Sequence, residues 1–392
     1  MKVLKAYKTE LDPNNKQRTS LLKHAGCARF AYNWGLNEKI KAYENGEKTP
    51  NAIELHRKLN ALKKTEFPWM YESSKCSPQE ALRNLDNAYA NFFRKCKQKK
   101  SGKKGFPRFK TKKKGIGSFR LTGTIHVFEK SIQLPNLGVL RLKEYGYLPT
   151  KDVHILSATI SEQAGHWFVS IQVEENIPEP VKKETNIVGV DLGIKTLVTC
   201  SDGKVYENPK VLRNNLKQLK HLQRHVSRKV KGSQNRKKAV RKLARLHKRI
   251  SDIRKDCLNK VTTELTKTKS TVVIEDLNVS GMMKNHCLAQ AISDLGLGEW
   301  RRQLGYKGLW NNCQIIVADR FFPSSKLCSV CGCLNDKLTL ADRYWTCDCG
   351  TVHNRDGNAS VNLKNYGIKL VASSAESINS PMDEKALTLS SC

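Results

Sequence analysis

The chain has 392 residues, enough for two or three domains that each bury a core. It carries 70 Lys and Arg against 36 Asp and Glu, a formal net charge of +34. A folded chain with that excess repels itself unless a polyanion is present, so the composition indicates a nucleic-acid partner. No signal peptide or long apolar run is found, and most cysteines outside one cluster are scattered singly, so we expect a reducing cytoplasm.

Helical and strand-like patterns alternate in the first half of the chain. Residues 1–9 look like a strand, and residues 13–100 have the periodicity of helices. The segment Ser77-Pro78-Gln79-Glu80 has the form of a capping box, so we expect a helix to begin there. Residues 119–175 are strand-like again, with alternating polarity. The helical block is therefore predicted to be an insertion between the first strand and the rest of a small β-barrel.

A dense basic segment, residues 94–114, follows the helical block. A run of charge alone is usually a solvated surface. Here, however, Phe106 and Phe109 lie among the cations, which combines attraction for phosphate with flat surfaces for stacking on bases. The residues of this segment that we expect to contact nucleic acid are Lys104, Phe106, Arg108 and Phe109.

Beyond a Pro178-Glu179-Pro180 linker the pattern becomes that of an α/β domain. An apolar strand ends at Asp191, and another ends at Glu275. Two long basic helices are predicted between them, separated by a break at residues 231–233. The remaining predicted strands of this domain are residues 196–200 and 314–317.

Three acidic residues fall at positions where they can meet. Asp191 and Glu275 follow buried strands, and Asp356 lies where a helix can begin. Residues at the ends of neighbouring strands emerge along one edge of a sheet, so these acids can face one cleft. Each acid alone is often only a turn or cap residue. Together, on a strongly basic chain, they indicate a site for two Mg²⁺ ions and the chemistry of an RNase H-like nuclease.

The neighbours of these acids are consistent with a phosphate-handling site. Gly193, close to Asp191, leaves room for a phosphate backbone to approach. Arg355, next to Asp356, offers a guanidinium to the same backbone.

Five cysteines lie within 22 residues between Cys328 and Cys349. Two short pairs, Cys328-x2-Cys331 and Cys347-x-Cys349, have the spacing of a structural Zn²⁺ site with four thiolate ligands. Either Cys333 or His353 can substitute for one of these ligands. The alternative is a set of reduced thiols in a polar loop.

Several motifs, in this order, resemble the TnpB family, the RNA-guided DNA nucleases encoded by insertion-sequence transposons and related to type V CRISPR effectors. The resemblance covers nearly the whole chain. The motifs that carry it are residues 27–33, 104–109, 189–195, 275–277, 322–325 and 354–359, together with the cysteine module.

This resemblance implies a multidomain fold that combines α/β and β-barrel parts. A wedge-type barrel is interrupted by a helical recognition domain, and a RuvC-like nuclease domain is split by a zinc ribbon. A Ser-rich tail is expected to be disordered. The expected boundaries are 1–9 and 116–178 for the barrel, 10–115 for the helical domain and its basic linker, 184–322 and 354–371 for the nuclease domain, 323–353 for the ribbon and 372–392 for the tail.

The resemblance also implies an activity. A guide RNA from the transposon end would direct the protein to double-stranded DNA beside a short motif, and the acids Asp191, Glu275 and Asp356 would hold Mg²⁺ for hydrolysis. One protein chain with one RNA, in the cytoplasm of a prokaryote and associated with the nucleoid, is the expected assembly. We expect the protein to grip the heteroduplex by shape and phosphate charge, and no membrane partner is predicted.

Lys75 and Gln79, near the predicted cap at Ser77, are the candidates for reading the short motif, since a helix N-terminus favours phosphate. Two other functions remain open. One is an RNA-guided DNA-binding repressor that does not cut, and the other is an unguided, resolvase-like nuclease.

Overall fold

The computed structural model describes residues 2–98, 104–112, 115–150, 153–176, 184–339 and 341–379. The chain divides into two compact units, Met1–Glu179 and Pro180–Cys392. Each unit has its own sheet and its own buried apolar cluster. Among the described residues, none of the helices is both long enough and apolar enough to span a bilayer.

The sheet of the first unit is built around the first strand of the chain. This strand, β1, pairs antiparallel with β7 along most of its length and with β5 at its end. The strand order is β2-β6-β7-β1-β5-β4-β3. The strands are β1 (Lys2–Asp12), β2 (Ser118–Leu121), β3 (His126–Val127), β4 (Ser131–Leu134), β5 (Gly138–Leu142), β6 (Val153–Gln163) and β7 (His166–Asn176).

This order confirms that the helical block interrupts a sheet, because β1 lies between strands that follow the helices. Closure into a barrel is not confirmed. The edge strands β2 and β3 do not pair with each other within the described residues. A barrel closes only when its edge strands pair, and a sequence pattern does not specify whether they do.

The inserted block consists of α1 (Asn15–Glu44), α2 (Ala52–Thr65), a short 3-10 helix (Pro68–Glu72) and α3 (Cys76–Lys97). Asn14 and Asn51 cap α1 and α2 with complete capping boxes. Helices α1 and α3 pack closely at Gly35, where an added Cβ would lie 2.5 Å from Leu82 Cδ2. The helices and the sheet share one buried core.

The predicted helix start at Ser77 was wrong. Helix α3 begins at Cys76, after Lys75, and Lys75 makes no side-chain cap. Ser74 closes the turn instead, because its hydroxyl accepts from Cys76 N (3.4 Å) and its carbonyl accepts from Ser77 N (3.1 Å). Ser77 is therefore inside the first turn, where its hydroxyl is buried without a hydrogen-bond partner.

The sheet of the second unit has the order β10-β9-β8-β11-β12. Strands β8, β11 and β12 are parallel, whereas β9 and β10 extend the sheet in antiparallel fashion. The strands are β8 (Ile187–Asp191), β9 (Thr196–Cys200), β10 (Val205–Glu207), β11 (Thr271–Ile274) and β12 (Gln314–Val317). The strands predicted for this domain are confirmed.

Six helices and a small hairpin complete the second unit. Helices α4 and α5 are separated at residues 228–233, as predicted, and Ser233 caps α5. The last helix continues through residues 372–379, where a disordered tail was expected to begin; residues 380–392 lie outside the described residues. The elements are α4 (Val211–Ser227), α5 (Gln234–Thr268), α6 (Val279–Met282), α7 (Ala289–Leu295), α8 (Leu297–Trp310), β13 (Tyr344–Thr346), β14 (Val352–Asn354) and α9 (Arg355–Asn379).

Two glycines allow α9 to lie directly on the sheet. A Cβ added to Gly189 in β8 would lie 2.0 Å from Ser360 O, and one added to Gly367 in α9 would lie 2.4 Å from Val273 Cγ2. Real Cβ atoms do not approach backbone so closely, so glycine is required at Gly189. The start of α9 is thereby held over the carboxyl end of β8.

Candidate active site and metal centre

Two of the predicted acids leave the same edge of the second sheet. Asp191 is the last residue of β8, and Glu275 directly follows β11. The two strands are parallel, with Val190 opposite Ile274, so Asp191 and Glu275 are the next pair in register. Adjacent strands are about 4.8 Å apart, which brings the two carboxyl groups to neighbouring positions.

The third acid, Asp356, lies in the first turn of α9. Because Gly189 brings Ser360 against β8, the turn that precedes Ser360 lies near the end of that strand. Asp356 is close enough for its charge to act on Asp191. The fold therefore assembles the three acids from a strand end, a second strand end and a helix start.

The three carboxylates of this cluster repel one another, which is unfavourable unless a bound metal cation neutralises them. Burial, followed by the charges of Glu275 and Asp356, raises the pKa of Asp191 to about 8, and Arg355 opposes this only in part. Like charges held together in a desolvated place favour the protonated form. A hard divalent cation with oxygen ligands would reverse this effect, so the donor set fits Mg²⁺.

The carboxylates are less closely gathered than the cysteine thiols. Among the described residues, the four thiols are the set in which all ligand atoms lie within 4.8 Å of one another, and the acids do not form such a set. Arg343 Nη1 donates to both oxygens of Asp356, at 3.3 and 3.5 Å. A cation shared by all three acids would therefore compete with Arg343 for Asp356.

Ser324 is a site residue whose role the sequence pattern did not reveal. Its hydroxyl donates a short hydrogen bond to Glu275 Oε1, and the residue is buried. Its backbone is held on both sides, because Ser324 N donates to Phe322 O (2.8 Å) and Asn362 Nδ2 donates to Ser324 O (2.8 Å). Ser324 thus orients Glu275 from a rigid position linked to α9.

The four cysteines predicted as Zn²⁺ ligands are brought together. The closest sulfur pairs are Cys331 with Cys347 (3.5 Å) and Cys328 with Cys349 (3.8 Å). Cys333 is exposed and does not belong to the set, although its carbonyl accepts from Cys328 N (2.9 Å).

His353 is next to the thiol cluster, with Nε2 3.1 Å from Cys328 Sγ. It pairs across the β13–β14 hairpin with Trp345, which is buried in a small core with Leu338, Cys328 and Cys347. Four thiols converging beside so small a core fit a tetrahedral, structural Zn²⁺ site.

The cysteine module is tied to the helix that carries Asp356. Asn358 Nδ2 donates to Leu327 O (2.7 Å), and Ser329 N donates back to Asn358 Oδ1 (3.0 Å). Asn362 Nδ2 also donates to Leu327 O, at 2.6 Å. Both asparagines are buried, so the module and the start of α9 form one hydrogen-bonded body.

The candidates for reading a motif lie on the first unit. Lys75 is exposed and lines a basic cavity of about 890 Å³ together with Lys63, Lys64, His56 and Thr122. Gln79, one turn further along α3, is half-buried and is not part of that lining.

The basic segment differs in detail from the expectation. The ring of Phe106 packs edge-on against Tyr89 and Phe92, with centroids 5.6 and 5.3 Å away, so it anchors the segment to α3. All four predicted contacts in this segment are exposed: Lys104, Phe106, Arg108 and Phe109.

The predicted contact Arg355 is already engaged within the second unit. Its guanidinium donates to Thr339 O at 3.3 Å. Its positive charge also offsets part of the rise in the pKa of Asp191. Gly193 also has a local role, since an added Cβ would lie 2.9 Å from Thr196 O in the turn after β8.

Three family models match this chain. They are described as "Helix-turn-helix domain" over residues 1–48, "Probable transposase" over residues 169–286 and "Cas12f1-like, TNB domain" over residues 298–363. The described part of the first range contains one strand and one helix, β1 and α1. The third range includes the cysteine module and the start of α9.

Similar proteins extend over almost the whole chain. A "Putative RNA-guided DNA endonuclease" of Streptomyces pristinaespiralis is 40% identical over 93% of this chain and 90% of its own length. The "Putative RNA-guided DNA endonuclease InsQ" of Escherichia coli K12 is 34% identical over 95% of this chain and 94% of its own length.

A solved structure, described as a Cas12f1-sgRNA-target DNA complex, has a similar fold. It superposes with a TM-score of 0.56 and 13% identity, and the match covers 93% of this chain and 99% of the other.

Proposed function

This chain belongs to the TnpB family, and we propose that it is an RNA-guided DNA endonuclease that hydrolyses target phosphodiesters in a RuvC-like domain. The observation that carries the proposal is the register of β8 and β11, which places Asp191 beside Glu275 under the start of α9. The mixed sheet, in which β9 runs opposite to β8, β10, β11 and β12, has the arrangement expected of an RNase H-like nuclease.

In this proposal, Asp191, Glu275 and Asp356 are the catalytic residues and hold two Mg²⁺ ions. When bound, the ions would activate water and stabilise the leaving oxygen of the phosphodiester. Asp191 must give up its proton to become a ligand, and because its pKa is raised to about 8 in the metal-free protein, a cation would compete with that proton. Ser324 keeps one oxygen of Glu275 in a fixed direction.

The cysteine module acts in this proposal as a zinc ribbon that splits the nuclease domain. Cys328, Cys331, Cys347 and Cys349 are its proposed ligands, and His353 supports Cys328 from outside the set. Because Asn358 and Asn362 bind the ribbon to α9, the metal would stabilise the helix start that presents Asp356.

The first unit provides the proposed wedge-type barrel and the helical recognition domain. Lys75 and Gln79 are proposed to read the motif beside the target, with Lys75 at a basic cavity. Exposed cations and Phe109 of the basic segment would contact the nucleic acid backbone and bases.

The proposed partners are a guide RNA from the transposon end and a double-stranded DNA target. The net charge of +34 supports a bound polyanion, since RNA would neutralise much of the excess. We propose one protein chain with one RNA, acting in the prokaryotic cytoplasm at the nucleoid.

The test is to purify the protein, sequence the RNA that accompanies it, and then replace the guide segment of that RNA. A plasmid library with randomised flanks would show where cutting occurs. The proposal predicts that cutting in Mg²⁺ moves to the new matching sequence and always lies beside one short motif.

Other outcomes of the same assay would identify the alternatives. Target binding without cutting would indicate a guided repressor. Cutting of branched DNA by RNA-free protein, with no dependence on the guide, would indicate a resolvase-like nuclease. Either result would contradict the proposal.

A further inference from the structure

A small polar cavity of about 210 Å³ lies in the first unit, between the helices α1 and α3 and the strands β2 and β6. It is separate from the larger basic cavity at Lys75. Its apolar walls are Ala28, Ala81 and Phe119. Its polar lining consists of Ser77, Asn84, Lys110, Ser118, Arg120 and Thr159.

Two polar atoms in this lining have unused hydrogen-bonding capacity. Ser77 is fully buried, and its hydroxyl has no hydrogen-bond partner. Arg120 Nε is likewise buried and makes no hydrogen bond. Buried polar groups are almost always satisfied, so two such donors at one cavity indicate a ligand with acceptor oxygens.

Lys110 is an exposed lysine that adds a positive charge to the lining of the cavity. Asn33 clamps its backbone, because Asn33 Nδ2 donates to Lys110 O (2.9 Å) and Lys110 N donates to Asn33 Oδ1 (2.8 Å). Its ammonium lies 3.9 Å from the centroid of the Tyr32 ring. Desolvation lowers the pKa of Lys110, and no carboxylate among the described residues contributes an opposing shift.

Arg120 adds a second charge that is only partly compensated. Its Nε is 3.8 Å from Glu80 Oε2, and its Nη2 donates to Gln172 Oε1 at 3.1 Å. Glu80 is shared with Arg83, whose Nη1 donates to its other oxygen at 2.8 Å. Two guanidinium groups therefore share one carboxylate, and Lys110 adds a further positive charge at the cavity.

We propose that this cavity binds one backbone phosphate of the nucleic acid carried by the protein. Hydroxyl and amide donors from Ser77, Ser118, Thr159 and Asn84 would bind phosphate oxygens, and the two cations would bind the charge. The cavity is too small for a base pair, which makes the contact independent of sequence. It would fix the register of one strand relative to α3, the helix that begins next to Lys75.

This inference rests on the proposed function for the origin of the phosphate, which is the guide RNA or the target DNA. Single uncharged methylphosphonate linkages, placed one at a time through synthetic guide RNA and through each target DNA strand, distinguish these sources. The readout is the dissociation constant of each complex with the full chain. For the wild-type protein we expect one linkage, in one of these strands, to weaken binding about tenfold.

The variants Ser77→Ala and Lys110→Gln test whether that linkage is held in the cavity. Each should weaken binding of the unmodified nucleic acid, and in each the sensitive linkage should no longer matter. Lys130→Gln is the matched control, since Lys130 also lies over an aromatic ring, that of Tyr145, at 5.6 Å. The control should keep the wild-type interference pattern.

Folding is checked separately. Because the hydroxyl of Ser77 has no partner, Ser77→Ala should leave the melting temperature of the RNA-free protein unchanged or raise it. An interference pattern that is the same in the wild-type protein and in both cavity variants would overturn the inference. Since the readout is binding, that failure is distinguishable from a failure of guided cutting, which would overturn the proposed function.

Discussion

Asp191 is held in an environment that opposes its ionisation. Burial and the neighbouring carboxylates of Glu275 and Asp356 raise its pKa from 3.8 to about 8. In the unfolded chain the same side chain would titrate near its ordinary value. Between these two pH values the folded protein holds a proton that the unfolded protein releases, so rising pH lowers the free energy of unfolding. This loss of stability is what we expect at a site proposed to bind cations.

The substitution Asp191→Asn removes this titration. In the absence of divalent metal, the variant should melt at a higher temperature than the wild type, and the difference should grow from pH 5 to pH 8 and then level off. Thermal unfolding in buffers with a chelator measures this. Added Mg²⁺ should stabilise the wild type at pH 8 and leave the variant unaffected. A difference that does not change with pH would contradict the assignment of the raised pKa.

At the residue scale, the sequence predicted positions better than contacts. The acids and the four cysteines could be found because strand ends and short Cys spacings are local patterns. Ser324 could not be given a role, since its bond to Glu275 joins residues 49 apart. Phe106 is exposed, as a stacking surface requires, but the sequence did not predict that its ring also packs edge-on against α3. Local sequence does not specify which partner an aromatic ring finds.

At the scale of elements, the docking of α9 on β8 determines whether a third acid can reach the site. The contact depends on Gly189, because its missing side chain leaves room for the backbone of α9 at Ser360. Gly189 belongs to residues 189–195, one of the motifs that resemble the TnpB family. The sequence alone, however, indicated no packing role for it.

The substitution Gly189→Ala should disrupt this docking. The added Cβ would overlap the backbone of α9, which cannot move as a flexible side chain would, and we expect a loss of about 3 kcal/mol in unfolding free energy. Gly305→Ala is the matched control, since Gly305 lies within α8 and an added Cβ there would meet open space. Because alanine is more favourable than glycine within a helix by about 1 kcal/mol, this control should not destabilise the protein. Urea denaturation compares the two. Equal effects of both substitutions would contradict the packing argument.

The proposed zinc ribbon should depend on four cysteines and not on the fifth. We expect Cys331→Ser to abolish bound zinc and to reduce cutting, because the ribbon is tied to the helix that presents Asp356. Cys333→Ser should keep one zinc per chain and normal cutting, as Cys333 is outside the thiol set. Metal analysis of the purified variants checks this. Retention of zinc by Cys331→Ser would show that another ligand replaces it.

Element type was predictable from periodicity, whereas long-range pairing was not. The strands at Asp191 and Glu275 and the break between α4 and α5 are present as predicted. Ser77 does not cap α3, because Ser74, three residues earlier in the chain, closes the turn that precedes the helix. Closure of the first sheet depends on whether its edge strands β2 and β3 pair, and the periodicity of a strand does not specify its partner.

At the scale of the whole molecule, the chain consists of two units with separate sheets and has a formal net charge of +34. The first unit offers basic cavities and an exposed basic segment, and the second unit gathers the acids and the thiols. Charge and composition alone predicted a nucleic-acid partner. Family membership, shown by relatives that align over more than nine-tenths of the chain, supports a guided nuclease.

The most direct test of guided hydrolysis is plasmid cleavage by the protein–RNA complex, with wild type and Asp191→Ala compared on the same target in Mg²⁺. We predict that the wild type cuts only the plasmid that matches the guide. The variant should bind that plasmid with the wild-type affinity and cut at less than roughly one-hundredth of the wild-type rate, because it lacks a metal ligand. Cutting by Asp191→Ala at the wild-type rate would contradict the account.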